Sequence, residues 1–280
     1  MNNNDFSKTI LVPYDFTVKA DAAIKHANSF AKKLSKTVTL LHVIADYDEK
    51  TETLARLKAI AANNQKITDI TTEYCTSTGT IYDQIGQAAD ILDAAFVVMA
   101  THGINGVQKV FGSKALKVIT KSHKPYIVVQ DEPADQLYKQ IIVPMSYQPE
   151  CKQPLFHIMN IAKLFNATCH IIADKSSDPH HLNNIKNNVA YAESFLKENN
   201  IDFHTVAPEV SAGDFNQAVL RYAKHKHAGL ITLITQQNIS LFEFLMQPAE
   251  QYFIANQEKI PVMCIHPDYN SIKYGSVFAN

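Results

Sequence analysis

The sequence predicts an α/β protein of two tandem domains, each an open five-stranded parallel sheet with helices on both faces. Two observations predict it. Apolar, β-branched runs alternate with stretches of helical periodicity, and the second half of the chain replays the order of the first. Strands alternating with helices imply right-handed crossovers, which lay the strands parallel and cover both faces of the sheet. The chain has 280 residues, 46% of them apolar and 19% charged. That is the composition of an ordinary globular protein, with ample material for two cores.

In the first half the strand candidates are residues 9–12, 38–43, 70–75, 96–100 and 126–129. Between them, Ala20, Ala23, Ile24, Ala27, Phe30, Ala31 and Leu34 form one apolar helical stripe. Ile81, Ile85, Ala88, Ala89 and Leu92 form a second. The second half follows suit. Residues 141–143 follow Lys139 as 10–12 follow Lys8, and the two runs end in Pro144 and Pro13. A helix stripe (Leu155, Ile158, Ala162, Phe165) leads to a strand at 168–173, and a second stripe (Leu182, Ile185, Val189, Ala192, Leu196) to a strand at 203–206. Gly213 then stands as Gly79 does, and the last strands are 230–235 and 262–266. Matched positions lie about 131 to 136 residues apart, as in a duplication with small insertions.

The seam is 130–137, QDEPADQL, which divides the chain into domains 1–132 and 138–280. A linker this short keeps the two in contact. A duplicated chain is expected to join its halves by a pseudo-twofold contact that imitates a homodimer; a true homodimer of chains is the other form of that contact.

Composition also excludes classes. The formal net charge of −1 provides no basic field for a nucleic-acid partner. The amino terminus MNNNDFSK is polar and carries no secretory signal, and no apolar run reaches the length of a membrane span. Cys75, Cys151, Cys169 and Cys264 lie far apart without a CxxC pair, as reduced thiols of a cytoplasmic protein would. Among twelve histidines, the pairs His180-His181 and His225 with His227 have no cysteine or carboxylate at ligand spacing and read as solvated, so no metal site is expected.

A parallel sheet of this kind binds ligands at the carboxyl ends of its strands, near the reversal of strand order. Two segments fall there: Val12-Pro13-Tyr14-Asp15, and the loop from Met99 through Ala100, His102, Gly103 and Gly106 to Gly112-Ser113. Glycines let backbone approach a phosphate closely. Gly112-Ser113 opens a helix with the stripe Ala115, Leu116, Ile119, whose first N–H groups and dipole favour an anion. Spacing alone leaves a second reading open, in which Gly103 and Gly106 shape a turn and Ser113 caps the helix. His102 is equally open between a phosphate contact and a turn-fixing bond.

The strings VPYD, LHV and MATHGINGVQKVFGS, each after its proper strand, resemble the universal stress protein family. The likeness covers the first half motif by motif and the second half through its element order. It implies a Rossmann-like fold of the adenine nucleotide alpha hydrolase type in each half. It also implies a regulatory, stress-responsive protein that binds ATP, with Mg²⁺, through the pattern G-x2-G-x9-G-[S/T]. By position the implied site is Asp15 at the adenosine, Val43 lining the adenine pocket, Pro13 and Met99 flanking the base, and Ala100, Gly103, Gly106, Gly112 and Ser113 at the phosphates. Two departures stand out: Ala100 replaces the first glycine, and eight residues separate Gly103 from Gly112 where the family has nine. An alanine forced to positive φ there would cost about 1 kcal/mol.

The second half lacks these residues. Ser146 takes the place of Asp15, Ile234-Thr235-Gln236-Gln237-Asn238 replaces the glycine loop, and Leu245 and Met246 stand where the cradle would be. One site per chain is therefore expected, in the first domain. There is no nucleophile elbow, Walker lysine or GxGxxG motif, and no general base beside the loop. Dedicated turnover is not indicated, and ATP hydrolysis would be slow at most. A binding-free interaction protein of the same fold is the alternative. The protein partner is not named by the sequence, nor is the role of tail 268–280, which holds Tyr269, Tyr274 and Phe278.

Overall fold

The computed structural model describes residues 9–44, 50–101, 118–119, 124–133, 138–208, 215–235, 253–254 and 256–265. The chain divides into two compact units, one of Met1–Asp135 with Ile254–Met263, the other of Gln136–Phe253 with Cys264–Asn280.

The first unit runs β1 (Thr9–Pro13), α1 (Val18–Leu34), β2 (Thr37–Ile44), α2 (Lys50–Thr68), β3 (Thr72–Thr78), α3 (Ile81–Ile91), β4 (Ala94–Ala100) and β5 (Tyr126–Val129). Its strand order is β3-β2-β1-β4-β5, and every neighbouring pair is parallel. Order therefore reverses between β1 and β4, which opens a crevice at their carboxyl ends. Ile10, Leu11 and Val12 of central β1 are fully buried, as the centre of a doubly covered sheet requires. The α1 stripe packs above them, and Phe30 meets Phe96 edge-on at 5.0 Å. Thr17 caps α1 by accepting the Ala20 N–H at 3.3 Å, and Ser35 ends the helix in the left-handed region.

Two elements differ from the sequence reading. The stripes pass over α2, because its buried face consists only of Thr53, Leu57 and Ala61. A face with one large apolar residue leaves little amphipathic signal. Strand β3 begins at Thr72 and not at 70: Asp69 takes a positive φ of 58° to turn the chain, and Ile70 is buried ahead of the strand.

Ile254–Met263 completes the first unit through buried polar groups. Gln130 spends both N–H bonds of its amide on the carbonyls of Ile254 and Asn256, each at 3.0 Å. Asn256 closes its own turn against the backbone of Ile260 at 2.9 Å in both directions. Asp131 pairs with Lys19 at 2.9 Å and with Lys259 at 2.5 Å, and these contacts hold its carboxyl below the usual range.

The second unit runs β6 (Gln140–Met145), a 3-10 turn (Pro149–Lys152), α4 (Leu155–Phe165), β7 (Thr168–Ala173), α5 (Pro179–Glu198), β8 (Phe203–Val206), α6 (Phe215–His225), β9 (Leu230–Ile234) and the second half of β10 (Val262–Ile265), whose residues Val262 and Met263 count with the first unit. Its order is β8-β7-β6-β9-β10, the same as in the first unit. The pairs β6·β7, β6·β9 and β7·β8 are parallel, and Thr235 N–H reaches Ile265 O at 3.0 Å. Both units are thus α/β sheets of the Rossmann-like kind. Cys151, Cys169 and Cys264 are buried and Cys75 half-buried; burial pushes the Cys151 thiol up to about 11 and Cys169 up to about 12. Among the described residues no helix is long and apolar enough to cross a membrane.

Candidate functional site

The crevice of the first unit holds a cavity of about 280 Å³. Its floor and walls are apolar: Ala20 from α1, Leu41 from β2, Ile81 and Ile85 from α3, and Val118. Tyr14, His42 and Thr101 add polar groups. Around the same cavity stand Pro13, Asp15, Val43 and Met99, which the family resemblance had assigned to base and sugar, and Ala100, which it had placed at the phosphates. Gly103, Gly106, Gly112, Ser113 and His102 lie outside the described residues; beyond them, Val118 and Ile119 are helical and buried. Ala100 ends extended β4 and is not among the residues of positive φ, so the strain anticipated for an alanine there does not arise.

The loop from Pro13 to Thr17 is shaped by side chains. Asp15 Oδ1 accepts the Thr17 N–H at 3.1 Å and the Thr17 hydroxyl at 2.6 Å, which hands the chain into α1. Tyr14 is buried, and its hydroxyl donates to Asp21 Oδ1 at 2.5 Å. Burial first, then Asp21, raise that phenol far above its ordinary value, so it remains a donor. Phe16 takes a φ of 62°, an unusual choice for a bulky residue. Neighbours hold it there: Tyr14 edge-on at 5.4 Å, His42 at 4.8 Å, and the Arg56 guanidinium 4.0 Å over its ring. His42 Nδ1 donates to Tyr14 O at 2.6 Å, and Thr101 N–H to Val129 O at 2.9 Å, which pin the ends of β1 and β4.

The sequence reading gave Tyr14 and Thr101 no role beyond their place in the two candidate segments, and it did not assign Leu41 or His42 to the site. His42 had been used only as part of a strand motif, and period-two alternation does not say which strand residue reaches a cavity at the strand's end. Ile81 and Ile85 were visible, but as a helix stripe facing a core.

In the second unit the corresponding loop is closed. Ser146 stands in the place of Asp15, and Asn188 Nδ2 of α5 donates to Ser146 O at 2.9 Å and Gln148 O at 3.0 Å. Tyr147, in the place of Phe16, stacks on the His181 ring at 3.9 Å and 10°. His180 and His181 give their backbone N–H groups to Asp178, which caps α5.

A parallel α/β sheet with a cavity at its order reversal makes the first unit a domain of Rossmann-like type, with its crevice where sheets of this kind hold ligands. Residues 7–130 match the model of the universal stress protein family. A universal stress protein of Methanocaldococcus jannaschii is 25% identical over 153 residues, covering 44% of this chain and 94% of that protein. Among solved structures, a universal stress protein of Archaeoglobus fulgidus covers 94% of this chain and 98% of its own, with a TM-score of 0.77 and 16% identity. A functionally unknown protein of Pseudomonas aeruginosa covers 94% of both chains, with a TM-score of 0.68 and 15% identity. These two structures extend the fold likeness over both units.

Proposed function

We propose that the chain is a stress-responsive regulatory protein that binds an adenine nucleotide, ATP with Mg²⁺, in the cavity of its first unit only. The observation that carries the reading is the convergence of Pro13, Asp15, Val43, Met99 and Ala100 on one cavity at the order reversal of the sheet. Its apolar walls suit a flat heterocycle, while Asp15 at the rim offers a carboxylate acceptor to ribose hydroxyls. In the second unit Ser146 supplies no carboxylate, and the loop carbonyls are already taken by Asn188. No described side chain at the cavity is placed as a general base for phosphate chemistry, which favours binding over turnover.

Calorimetric titration of the full chain with ATP, ADP and AMP tests this. One nucleotide per chain is expected, and Asp15→Ala weakens ATP roughly tenfold through a lost charge-assisted hydrogen bond. No heat and no thermal shift at millimolar nucleotide would overturn the proposal and leave the binding-free interaction protein.

A further inference from the structure

The two units differ by one hydrogen bond at the end of their first strands, and the difference gives His42 a task. Pro13 pairs with Leu41 as Pro144 pairs with Ile172, so Tyr14 matches Met145, His42 matches Ala173 and Val43 matches Asp174. In the second unit the ladder continues: Asp174 N–H donates to Met145 O at 2.9 Å. In the first unit Tyr14 O instead accepts from His42 Nδ1 at 2.6 Å. A carbonyl only accepts, so Nδ1 carries the proton in this contact. Ala173 has no donor with which to do the same.

The alternation of a parallel ladder shows what this displaces. Even-numbered residues of β2 bond to the β3 side, as Val38 N–H to Thr71 O and Gly79 N–H to Ile44 O demonstrate. Odd-numbered residues bond to the β1 side, as Tyr14 N–H to Leu41 O demonstrates. Tyr14 O is therefore the ladder partner of Val43 N–H, and the imidazole has taken it. Among the described residues Val43 N–H has no hydrogen-bond partner, although Val43 is half-buried and lines the cavity. A half-buried backbone donor without a partner is costly unless something else accepts from it.

We propose that His42 is a positioning residue: it holds Tyr14 O off the ladder and thereby presents the Val43 N–H to a ring nitrogen of bound adenine. This rests on the nucleotide reading of the cavity. The donor sits beside Leu41 and near Met99, so a base between these walls meets one directed polar group, which a sugar phosphate without a base cannot use.

Amide hydrogen exchange and calorimetry on the full chain test the assignment in wild type, His42→Ala and His42→Asn. In free wild type the Val43 N–H exchanges fast, and saturating ATP slows it about tenfold or more. His42→Ala lets Tyr14 O return to the ladder: Val43 exchange slows by a similar factor without nucleotide, and ATP and adenosine bind about tenfold more weakly. In His42→Asn the side-chain amide takes the place of Nδ1–H, and both properties return towards wild type. ATP binding that His42→Ala leaves unchanged, or a Val43 amide already protected in free wild type, overturns the role of His42 alone. No ATP binding by wild type overturns the nucleotide reading and this role together. His42→Asn and the wild-type exchange rates decide the matter even where His42→Ala does not fold.

Discussion

The ends of β1 and β6 are the same piece of chain written twice, and they are finished in opposite ways. After Pro13 the first unit spends side chains on keeping a loop open: His42 holds Tyr14 O, Asp15 holds Thr17, and exposed Arg56 covers Phe16. After Pro144 the second unit spends them on closing one: Asp174 N–H continues the ladder, and buried Asn188 ties down two carbonyls. Fold is indifferent to the choice, since both sheets keep the same strand order. What differs is whether the backbone N–H after the strand end continues the ladder, as Asp174 does, or has no partner among the described residues, as at Val43.

The largest effect is expected where closure is most complete. Asn188→Leu removes the donor for Ser146 O and Gln148 O and is expected to destabilise the second unit by about 2–3 kcal/mol in urea unfolding. Its opposite number, Arg56→Gln, removes an exposed cation–ring contact and costs about 0.5–1 kcal/mol at most. Equal losses for the two would contradict the contrast between a closed and an open loop.

Acid acts on both units alike, because each buries a neutral histidine. Burial lowers His26 to about 4, and His170 to about 4 with help from His204 and Lys226. The unfolded chain takes up these protons near pH 6.5, while the folded one does so only near 4. Between those values the unfolded state holds more protons, so stability falls as pH falls, by up to about 1.4 kcal/mol per pH unit for each histidine. Above pH 6.5 these two groups contribute no slope. Urea midpoints at pH 7, 5.5 and 4.5 check this; a flat profile for both units would show that the imidazoles are not buried as described.

The smallest effect is the most discriminating. Ser146→Asp restores the carboxylate that the second unit lacks, yet no second nucleotide is expected in calorimetry, because Asn188 and the continued ladder still close the loop. A stoichiometry rising from one to two would mean that the carboxylate alone makes the site.

Much of the architecture was legible in the chain because it depends on neighbours along the chain. Apolar, β-branched runs marked all ten strands, and β5, β7 and β8 occur at the expected residues. Helix α2 was illegible for the converse reason: three small or isolated residues, Thr53, Leu57 and Ala61, bury its face without a stripe. Pro13, Asp15, Val43, Met99 and Ala100, named from motifs, line one cavity because strand ends in a parallel sheet converge by topology. His42 could not be assigned, since its task depends on a carbonyl 28 positions away that only strand pairing brings within reach.

Local order along the chain therefore sufficed for the α/β class, the repeat and the unequal halves, since hydrophobic period and loop residues are properties of consecutive positions. Tertiary structure alone decided which carbonyl each strand end satisfies, that Asn188 closes one loop, and that Ile254–Met263 completes the first unit through Gln130. Those are choices among polar partners far apart in sequence, and burial, which makes an unpaired group costly, is what fixes them.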